Sequence, residues 1–320
     1  MKAAVIEEIG SLPVYKDVEE PTREPGQTLI EVSAAPLNPV DLSTAAGTYP
    51  GGSPPTPYVP GREGVGRVLE SDSFDHGARV YGAGLGFMAE RCATSDDNVV
   101  PLPEEGAVDD ALASCFGVAG LAAWLALEWR GDLREGETVL VLGASGAVGA
   151  IAVQAAKLLG AGRVVAAARS DKGLERAGEL GADATVKLGE REDLANAFQE
   201  AADGQLDLTI DPLWGDPAVA AIKATSFGGR LVQLGQSAST EATIPSGAVR
   251  TKLLSILGHT NMAAPAEVRN HAYLRMIRHA GAGELTVEYE VMPLAKVREA
   301  WELQASSPGR KLVLSPSDVP

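Results

Sequence analysis

Glu137-Thr138-Val139-Leu140-Val141-Leu142-Gly143-Ala144-Ser145-Gly146-Ala147-Val148-Gly149 lies near the middle of a 320-residue chain, and its reading decides the fold. Val139 to Leu142 form an apolar run bounded by charge on one side and glycine on the other, which reads as a buried strand. Glycine then recurs at every third position, and an apolar helical run follows from Ala147 through Leu159. A dinucleotide phosphate site requires that order. Gly143 lets the chain turn sharply, Gly146 lets backbone N–H groups approach a pyrophosphate, and Gly149 lets the helix lie close to the sheet. The helix N-terminus adds about half a positive charge facing the anion. A glycine triplet alone is weak evidence, but the strand before it and the helix after it favour this site over a purely structural turn. Gly143, Ala144, Ser145, Gly146, Ala147, Val148 and Gly149 are therefore the expected cofactor-binding loop.

On both sides of that loop, from about residue 118 to 260, strand and helix patterns alternate. Strands are predicted at Val139–Leu142, Arg163–Ala168, Ala184–Lys187, Leu206–Ile210, Arg230–Leu234 and Leu253–Leu257. Helices are predicted at Gly120–Trp129, Ala147–Leu159, Lys172–Leu180, Asp193–Ala202 and Pro217–Ala224. Such alternation implies an α/β domain with a Rossmann-type, doubly wound parallel sheet. The first third is β-rich and irregular, with strand candidates at Lys2–Ile6, Thr28–Val32, Gly64–Leu69, Ala78–Tyr81 and Val99–Leu102. Tyr49–Gly61, dense in proline and glycine, reads as a loop over a cleft. The tail carries helix candidates at Ala266–Ala280 and Leu294–Leu303, and strands around Val287–Val291 and at Lys311–Leu314.

A formal charge of −16 argues against nucleic acid and against an anionic membrane surface as partners. No run approaches the roughly 18 apolar residues of a membrane span. Acid at Glu7 and Glu8 interrupts any signal-peptide core, and two cysteines, Cys92 and Cys115, imply no disulfide framework. A cytoplasmic protein is the expectation.

Further blocks carry a resemblance. They are Leu37-Asn38-Pro39-Val40-Asp41, Gly47-Thr48-Tyr49, Pro60-Gly61-Arg62-Glu63-Gly64-Val65-Gly66, Phe87-Met88-Ala89-Glu90, Gly120-Leu121-Ala122-Ala123-Trp124, Phe227-Gly228-Gly229-Arg230-Leu231-Val232 and Gly309-Arg310-Lys311-Leu312-Val313-Leu314. With the glycine loop among them, the chain resembles the medium-chain dehydrogenase/reductase superfamily, and within it the zinc-independent, zeta-crystallin-like quinone oxidoreductases. The resemblance implies a discontinuous, β-rich GroES-like catalytic domain, residues 1–118 and 262–320, around a Rossmann domain, residues 119–261. It also implies a homodimer joined by edge strands near Leu253–Gly258.

Zinc-dependent members of the superfamily place a cysteine and a histidine where this chain has Asn38 and Arg62. An amide is a poor zinc ligand and a guanidinium is none, so no metal is expected. Hydride addition to an isolated ketone creates a strongly basic alkoxide that needs a metal or a placed acid. A quinone instead yields a delocalised anion, and an α,β-unsaturated carbonyl yields an enolate. The expected reaction is reduction of a small-molecule quinone or other conjugated carbonyl, by positioning against a nicotinamide. A 2-enoyl or enone reductase, and a cofactor-binding protein with little turnover, are the alternatives.

Asn38 is expected to bond the nicotinamide ribose or a substrate oxygen, or else to start a turn. Tyr49 orients or protonates the acceptor, or packs; Ser43 stands where many relatives carry a second tyrosine. Arg62 contacts substrate, or pairs with Glu63 or Asp41. After the second nucleotide-domain strand, Arg169, Ser170 and Lys172 replace the acid of an NAD enzyme and suit a 2′-phosphate, so NADPH (NADP+) is the expected cofactor. Asp171 there opposes a phosphate, and Ser170 or Asp171 also reads as a helix N-cap. Gly235, Gln236, Gly258 and His259 end the fifth and sixth strands and are expected to face the cofactor, although His259 also reads as structural.

Overall fold

A computed structural model of the chain describes residues 1–103, 108–189 and 193–316. The chain divides into two compact units, residues 1–118 with 273–320, and residues 119–272.

The first unit opens with strands β1 (Lys2–Val5), β2 (Val14–Asp17) and β3 (Gln27–Leu37), then helix α1 (Pro39–Ala45). It continues through β4 (Glu63–Glu70), β5 (Arg79–Ala83), β6 (Arg91–Ser95), β7 (Val99–Pro101) and α2 (Asp110–Ser114). The second unit holds α3 (Leu121–Leu125), β8 (Thr138–Leu142), α4 (Ala147–Leu158), β9 (Arg163–Ala168), α5 (Asp171–Glu179) and β10 (Ala184–Lys187). After these come α6 (Leu194–Ala201), β11 (Leu208–Asp211), α7 (Gly215–Ala224), β12 (Arg230–Gln233), α8 (Ser246–Arg250) and β13 (Ser255–Gly258). The boundary at residues 272 and 273 falls inside α9 (Ala266–Gly281), and β14 (Tyr289–Pro293), α10 (Val297–Ala305) and β15 (Lys311–Ser315) complete the first unit.

In the second unit six parallel strands run in the order β10-β9-β8-β11-β12-β13. Counted from β8 this is 3-2-1-4-5-6, the doubly wound order, whose sequence direction reverses between β8 and β11. Every residue of β8 is buried, as a strand covered by helices on both faces must be. Leu140, Leu142, Val165, Phe198, Ile222 and Leu231 lie in its core.

The first unit is a mixed sheet ordered β14-β15-β3-β4-β5-β7, with β6 also pairing β3. Its long central strand β3 shifts register twice against β4 and accepts β15 antiparallel at Leu312 opposite Leu37. That pairing brings the C-terminal strand beside the Asn38 turn. Ile30, Leu37, Val68, Val80, Phe87, Met88, Trp301 and Leu314 fill the core.

Sequence expectation and structure differ in identifiable places. The helix expected over Gly120–Trp129 is helical throughout, but only α3 is regular α-helix, and Phe116–Gly120 and Ala126–Arg130 on either side of it wind as π-helix. Only glycine fits at 117 in the first of these turns: a Cβ there would stand 1.7 Å from Glu63 Oε2 and 2.4 Å from the Tyr81 hydroxyl. Beyond these, β2, β6, α1, α2 and α8 have no counterpart among the predicted elements.

Candidate active site

Glu63, at the start of β4, is fully buried. Its Oε1 accepts the Asn38 side-chain amide at 2.9 Å. Its Oε2 accepts the Tyr81 hydroxyl at 3.1 Å and the Val118 backbone N–H at 2.5 Å. Tyr81 is fixed in turn by stacking on Tyr273, with ring centroids 4.3 Å apart. Burial raises the Glu63 carboxyl above the ordinary range, against the pull of Lys311 and of the hydrogen bonds it accepts.

Asn38 is 1% exposed. Besides the bond to Glu63, Nδ2 donates to Pro36 O at 3.2 Å, while Oδ1 accepts Lys311 Nζ at 2.5 Å. Both amide hydrogens are thus used inside the protein, and the donor expected for a ribose or substrate oxygen is already committed. The structure makes Asn38 the N-cap residue of α1, whose backbone N–H donates to Asp41 Oδ2 at 2.9 Å. Asp41 is buried as well. Burial is the main force that raises its carboxyl to about 7, with Glu63 adding to it and Lys311 and Arg62 opposing.

The far end of α1 places Tyr49, whose backbone N–H donates to Ser43 O at 3.1 Å. The ring is half-buried, and among the described residues its hydroxyl has no hydrogen-bond partner. Ser43 turns its hydroxyl to Val40 O at 3.1 Å, within its own helix. The Arg62 guanidinium lies 5.3 Å from the centroid of the Tyr49 ring and donates from Nη2 to Thr44 Oγ1 at 3.0 Å. The expected pairing of Arg62 with Glu63 or Asp41 is absent: among the described residues Arg62 forms no ion pair, and its buried Nε has no partner. Sequence reading passed over Lys311 as a ligand of Asn38. Its signal was a lysine directly preceding the apolar strand residues Leu312–Leu314.

In the second unit the expected cofactor residues gather at the carboxyl ends of one sheet. Gly143, after β8, has φ of +66°. A Cβ on Gly149 would lie 2.3 Å from Gly143 O, so only glycine lets α4 approach the turn. Gly146 is the N-cap of α4 and supplies no side-chain cap, which leaves the N–H groups of Ala147 and Val148 at an uncapped helix start. Ala144 N–H is held by Ala167 O at 3.0 Å, and Ser145 packs against Gly173, where a Cβ would meet its Cβ at 2.4 Å.

Ser170 caps α5 by accepting Gly173 N–H at 3.2 Å. Arg169 and Lys172 on either side are exposed and have no protein partner among the described residues. Asp171, the acid that would oppose a phosphate, is ion-paired with Lys187 Nζ at 3.0 Å.

Gly235 follows β12 and backs onto Pro212 O, 2.7 Å from where its Cβ would be; Gln236 beside it is exposed. Gly258 ends β13, and its carbonyl accepts Arg130 Nε at 2.8 Å. His259 donates its backbone N–H to Gln233 O at 2.8 Å and sets its ring edge-on to Trp129, while burial lowers its imidazole. Sequence reading missed Asp211, at the end of β11. Its Oδ1 accepts the Leu213 and Trp214 N–H groups, both at 2.9 Å, and burial raises the carboxyl to about 6. Leu213 packs 3.1 Å from the Cβ position of Gly143, so this turn is a wall of the glycine loop.

A pyridine dinucleotide fits the second unit: the glycine cradle is open where a Cβ would close it, and two unpaired cations stand by. Among the described residues, no group of three or more His, Cys, Asp or Glu side chains is placed to hold a metal ion.

A glycine-cradled doubly wound unit, inserted into a β-rich unit built from both ends of the chain, defines a medium-chain dehydrogenase/reductase. Residues 24–104 match the model of the alcohol dehydrogenase GroES-like domain, and residues 147–278 match that of the zinc-binding dehydrogenase. The chain is 30% identical over 263 residues to quinone oxidoreductase-like protein 2 of Bos taurus, covering 80% of this chain and 74% of that one. It is 32% identical over 251 residues to the quinone oxidoreductase of Rattus norvegicus, covering 75% of each. The quinone oxidoreductase of Thermus thermophilus, solved alone and in complex with NADPH, superposes with a TM-score of 0.84 at 30% identity, over 98% of this chain and all of that one. The chain belongs to the quinone oxidoreductase family of medium-chain dehydrogenases/reductases and is an oxidoreductase.

Proposed function

We propose that this protein is an NADPH-dependent, quinone oxidoreductase-like enzyme that reduces a quinone or other conjugated carbonyl without zinc. The observation that carries the reading is the fate of the two positions where a metal would need ligands. Asn38 has its amide bound into the interior, and Arg62 is a cation. Neither is a zinc donor, so no metal polarises the acceptor carbonyl, and a conjugated acceptor, whose product disperses charge, is favoured.

In this reading Gly143 to Gly149 hold the pyrophosphate, and Arg169, Ser170 and Lys172 hold the 2′-phosphate, with Asp171 neutralised by Lys187. Gly235, Gln236, Gly258 and His259 line the nicotinamide side. Bound there, NADPH supplies a hydride. Glu63, Asn38 and Lys311 fix the backbone from which α1 starts, and α1 delivers Tyr49. The relative named above, solved with NADPH, supports the coenzyme assignment. The unpartnered Tyr49 hydroxyl favours a second reading, an enone reductase, in which Tyr49 gives the product its proton.

β13 is an edge strand; Leu253, two residues before it, is 65% exposed, and Phe227, ahead of β12, is 72% exposed. Both support a homodimer that pairs this edge. No helix among the described residues is long and apolar enough to cross a membrane. The free, buried Cys92 and Cys115 suit a reducing cytoplasm. Steady-state NADPH oxidation with benzoquinones, enones and simple ketones, beside metal analysis, tests the function. Turnover of ketones or alcohols alone, or activity lost with a stoichiometric metal, overturns it. Sedimentation at the monomer mass refutes the dimer.

A further inference from the structure

Among the described residues of the first unit, Arg62 is a charged side chain whose buried donor, Nε, has no partner. Its backbone is clamped: Arg62 O accepts Gly84 N–H, and Gly61 O accepts Gly86 N–H, both at 3.0 Å. Gly61 itself has φ of +102° and admits no side chain, since a Cβ would lie 2.6 Å from Met88 N. The half-buried guanidinium is held by Thr44 and the Tyr49 ring, yet among the described residues it meets no carboxylate, and its Nε is buried without an acceptor. A second orphan stands near. The Tyr58 hydroxyl, in a residue 9% exposed, also has no partner, and both Asp41 and Arg62 act on it electrostatically.

Unpaired buried donors are rare because each forfeits a hydrogen bond to water. Two buried carboxylates of the same unit, Glu63 next in the chain and Asp41 on which Arg62 acts electrostatically, are the candidates to have removed this one. Neither does so, because each has other partners. Glu63 accepts Asn38, Tyr81 and Val118 under the charge of Lys311. Asp41 accepts the Asn38 N–H, and burial drives it toward its neutral form. The positive charge of Arg62 is therefore uncancelled, beside a tyrosine whose hydroxyl is also free.

We propose that Arg62 is the electrophile of the acceptor site: its guanidinium receives the carbonyl oxygen of the quinone or enone and holds the negative charge that gathers there. This rests on the reductase reading above and adds the group that replaces a Lewis acid. With an enone, the hydride pair forms a C–H bond at the β carbon and the conjugated π pair moves onto the carbonyl oxygen. With a quinone, the hydride pair forms an O–H bond at one carbonyl oxygen, the ring becomes aromatic and the π pair moves onto the other oxygen, giving the hydroquinone monoanion. A proton from Tyr49 or solvent completes the two-electron reduction, balanced by two-electron oxidation of the nicotinamide. Arg62 is permanently charged and needs no proton exchange to act.

The dependence on Arg62 should follow the basicity of the developing anion. An enolate is a stronger base than a hydroquinone monoanion. Removal of one oxyanion donor lowers rates by about 10² to 10³ in dry sites. Single-turnover rates are to be measured for wild type, Arg62→Gln and Arg62→Lys with one enone and one benzoquinone, with folding followed by circular dichroism. Arg62→Gln should slow the enone by about 100-fold and the quinone by about tenfold or less, with NADPH affinity unchanged within about twofold. Arg62→Lys should recover part of the enone rate. Equal losses for the two acceptors, or an unchanged enone rate in the folded variant, overturn the proposal. A binding measurement separates it from the reductase reading. 4-Nitrophenol, a stable oxyanion mimic, should bind wild type as its yellow phenolate at a pH where the free probe is mostly colourless, and should lose that colour shift in Arg62→Gln. If no acceptor turns over but the shift depends on Arg62, the reductase reading fails and the oxyanion site stands. If acceptors turn over and the shift ignores Arg62, the proposal fails alone.

Discussion

On the NADPH reading proposed above, replacing Arg169 and Lys172 together by alanine should leave coenzyme binding nearly indifferent to the 2′-phosphate. Both side chains are exposed and free of protein partners among the described residues, so the substitutions break nothing internal. Ser170 keeps its cap on α5, and Asp171 keeps Lys187. The magnitude follows from exposure. Unit charges about 4 Å apart in water interact by about 1 kcal/mol, and a phosphate monoester carries about −1.5 to −2. Each cation is then worth about a tenfold preference, and the pair about 100-fold. Salt should erode the preference, since the screening length falls from about 10 Å at 0.1 M to about 3 Å at 1 M. Calorimetric titration with NADPH and NADH, at both ionic strengths, reads this directly. NADPH should weaken by about 100-fold in the double variant at 0.1 M salt while NADH stays within about twofold. Equal weakening of both coenzymes would refute the reasoning, as would wild type binding NADH as tightly as NADPH.

Three further outcomes are expected. Gly117→Ala should destabilise by about 2–3 kcal/mol, lowering Tm by about 3–5 °C, because its Cβ would enter the space of Glu63 Oε2 and the Tyr81 hydroxyl, both hydrogen-bonded in the core. Gly178→Ala, inside α5 with nothing within 4 Å of its Cβ, should instead raise stability by about 0.5–1 kcal/mol in the same calorimetric scan. Asp41, raised from 3.8 to about 7, binds a proton more readily folded than unfolded, so its contribution is present at low pH and lost as pH rises from about 4 to about 7. Asp41→Asn should flatten that decline in urea midpoints across the window; an unchanged slope refutes it. Cys92 and Cys115, buried and both pushed up to about 12, should resist a thiol-disulfide reagent at pH 8 in the native protein and react once unfolded. Rapid native labelling would count against their burial.

The second unit is legible because its physics is local. β9 is buried from Val164 to Ala168, so a continuous apolar run announces it. Gly143, Gly146 and Gly149 mark the turn that follows β8. The first unit hides its elements. β2 has no fully buried residue, and α1 is seven residues long and opens on Pro39, too short to show a helical period. β6 turns Cys92 and Thr94 inward, and neither reads as a core residue in isolation. The site there is illegible for a different reason. Lys311 meets Asn38 across 273 residues and Glu63 meets it across 25, contacts that strand pairing creates and no local pattern encodes. Asn38 thus reads as a free hydrogen-bonding group because its two internal partners are distant in sequence.

That buried set also explains how the first unit keeps an unpaired cation. Taking Asp41, Glu63 and Lys311 out of water is costly, and apolar residues of similar volume would serve stability as well. What apolar residues would not do is hold the backbone around Asn38, which Lys311 reaches twice, at Oδ1 and through Leu37 O at 3.3 Å. Nor would they fix Glu63, the residue next to Arg62, by three hydrogen bonds to three separate segments. A buried ammonium that counters both carboxylates removes the electrostatic reason for Arg62 to turn inward. Arg62 then remains beside Thr44 and Tyr49 with its charge uncompensated. Two cations are thus divided between two tasks, Lys311 neutralising the interior and Arg62 left for the oxygen of an acceptor. One cation could not do both, since a guanidinium paired with Glu63 would have little field left for a substrate.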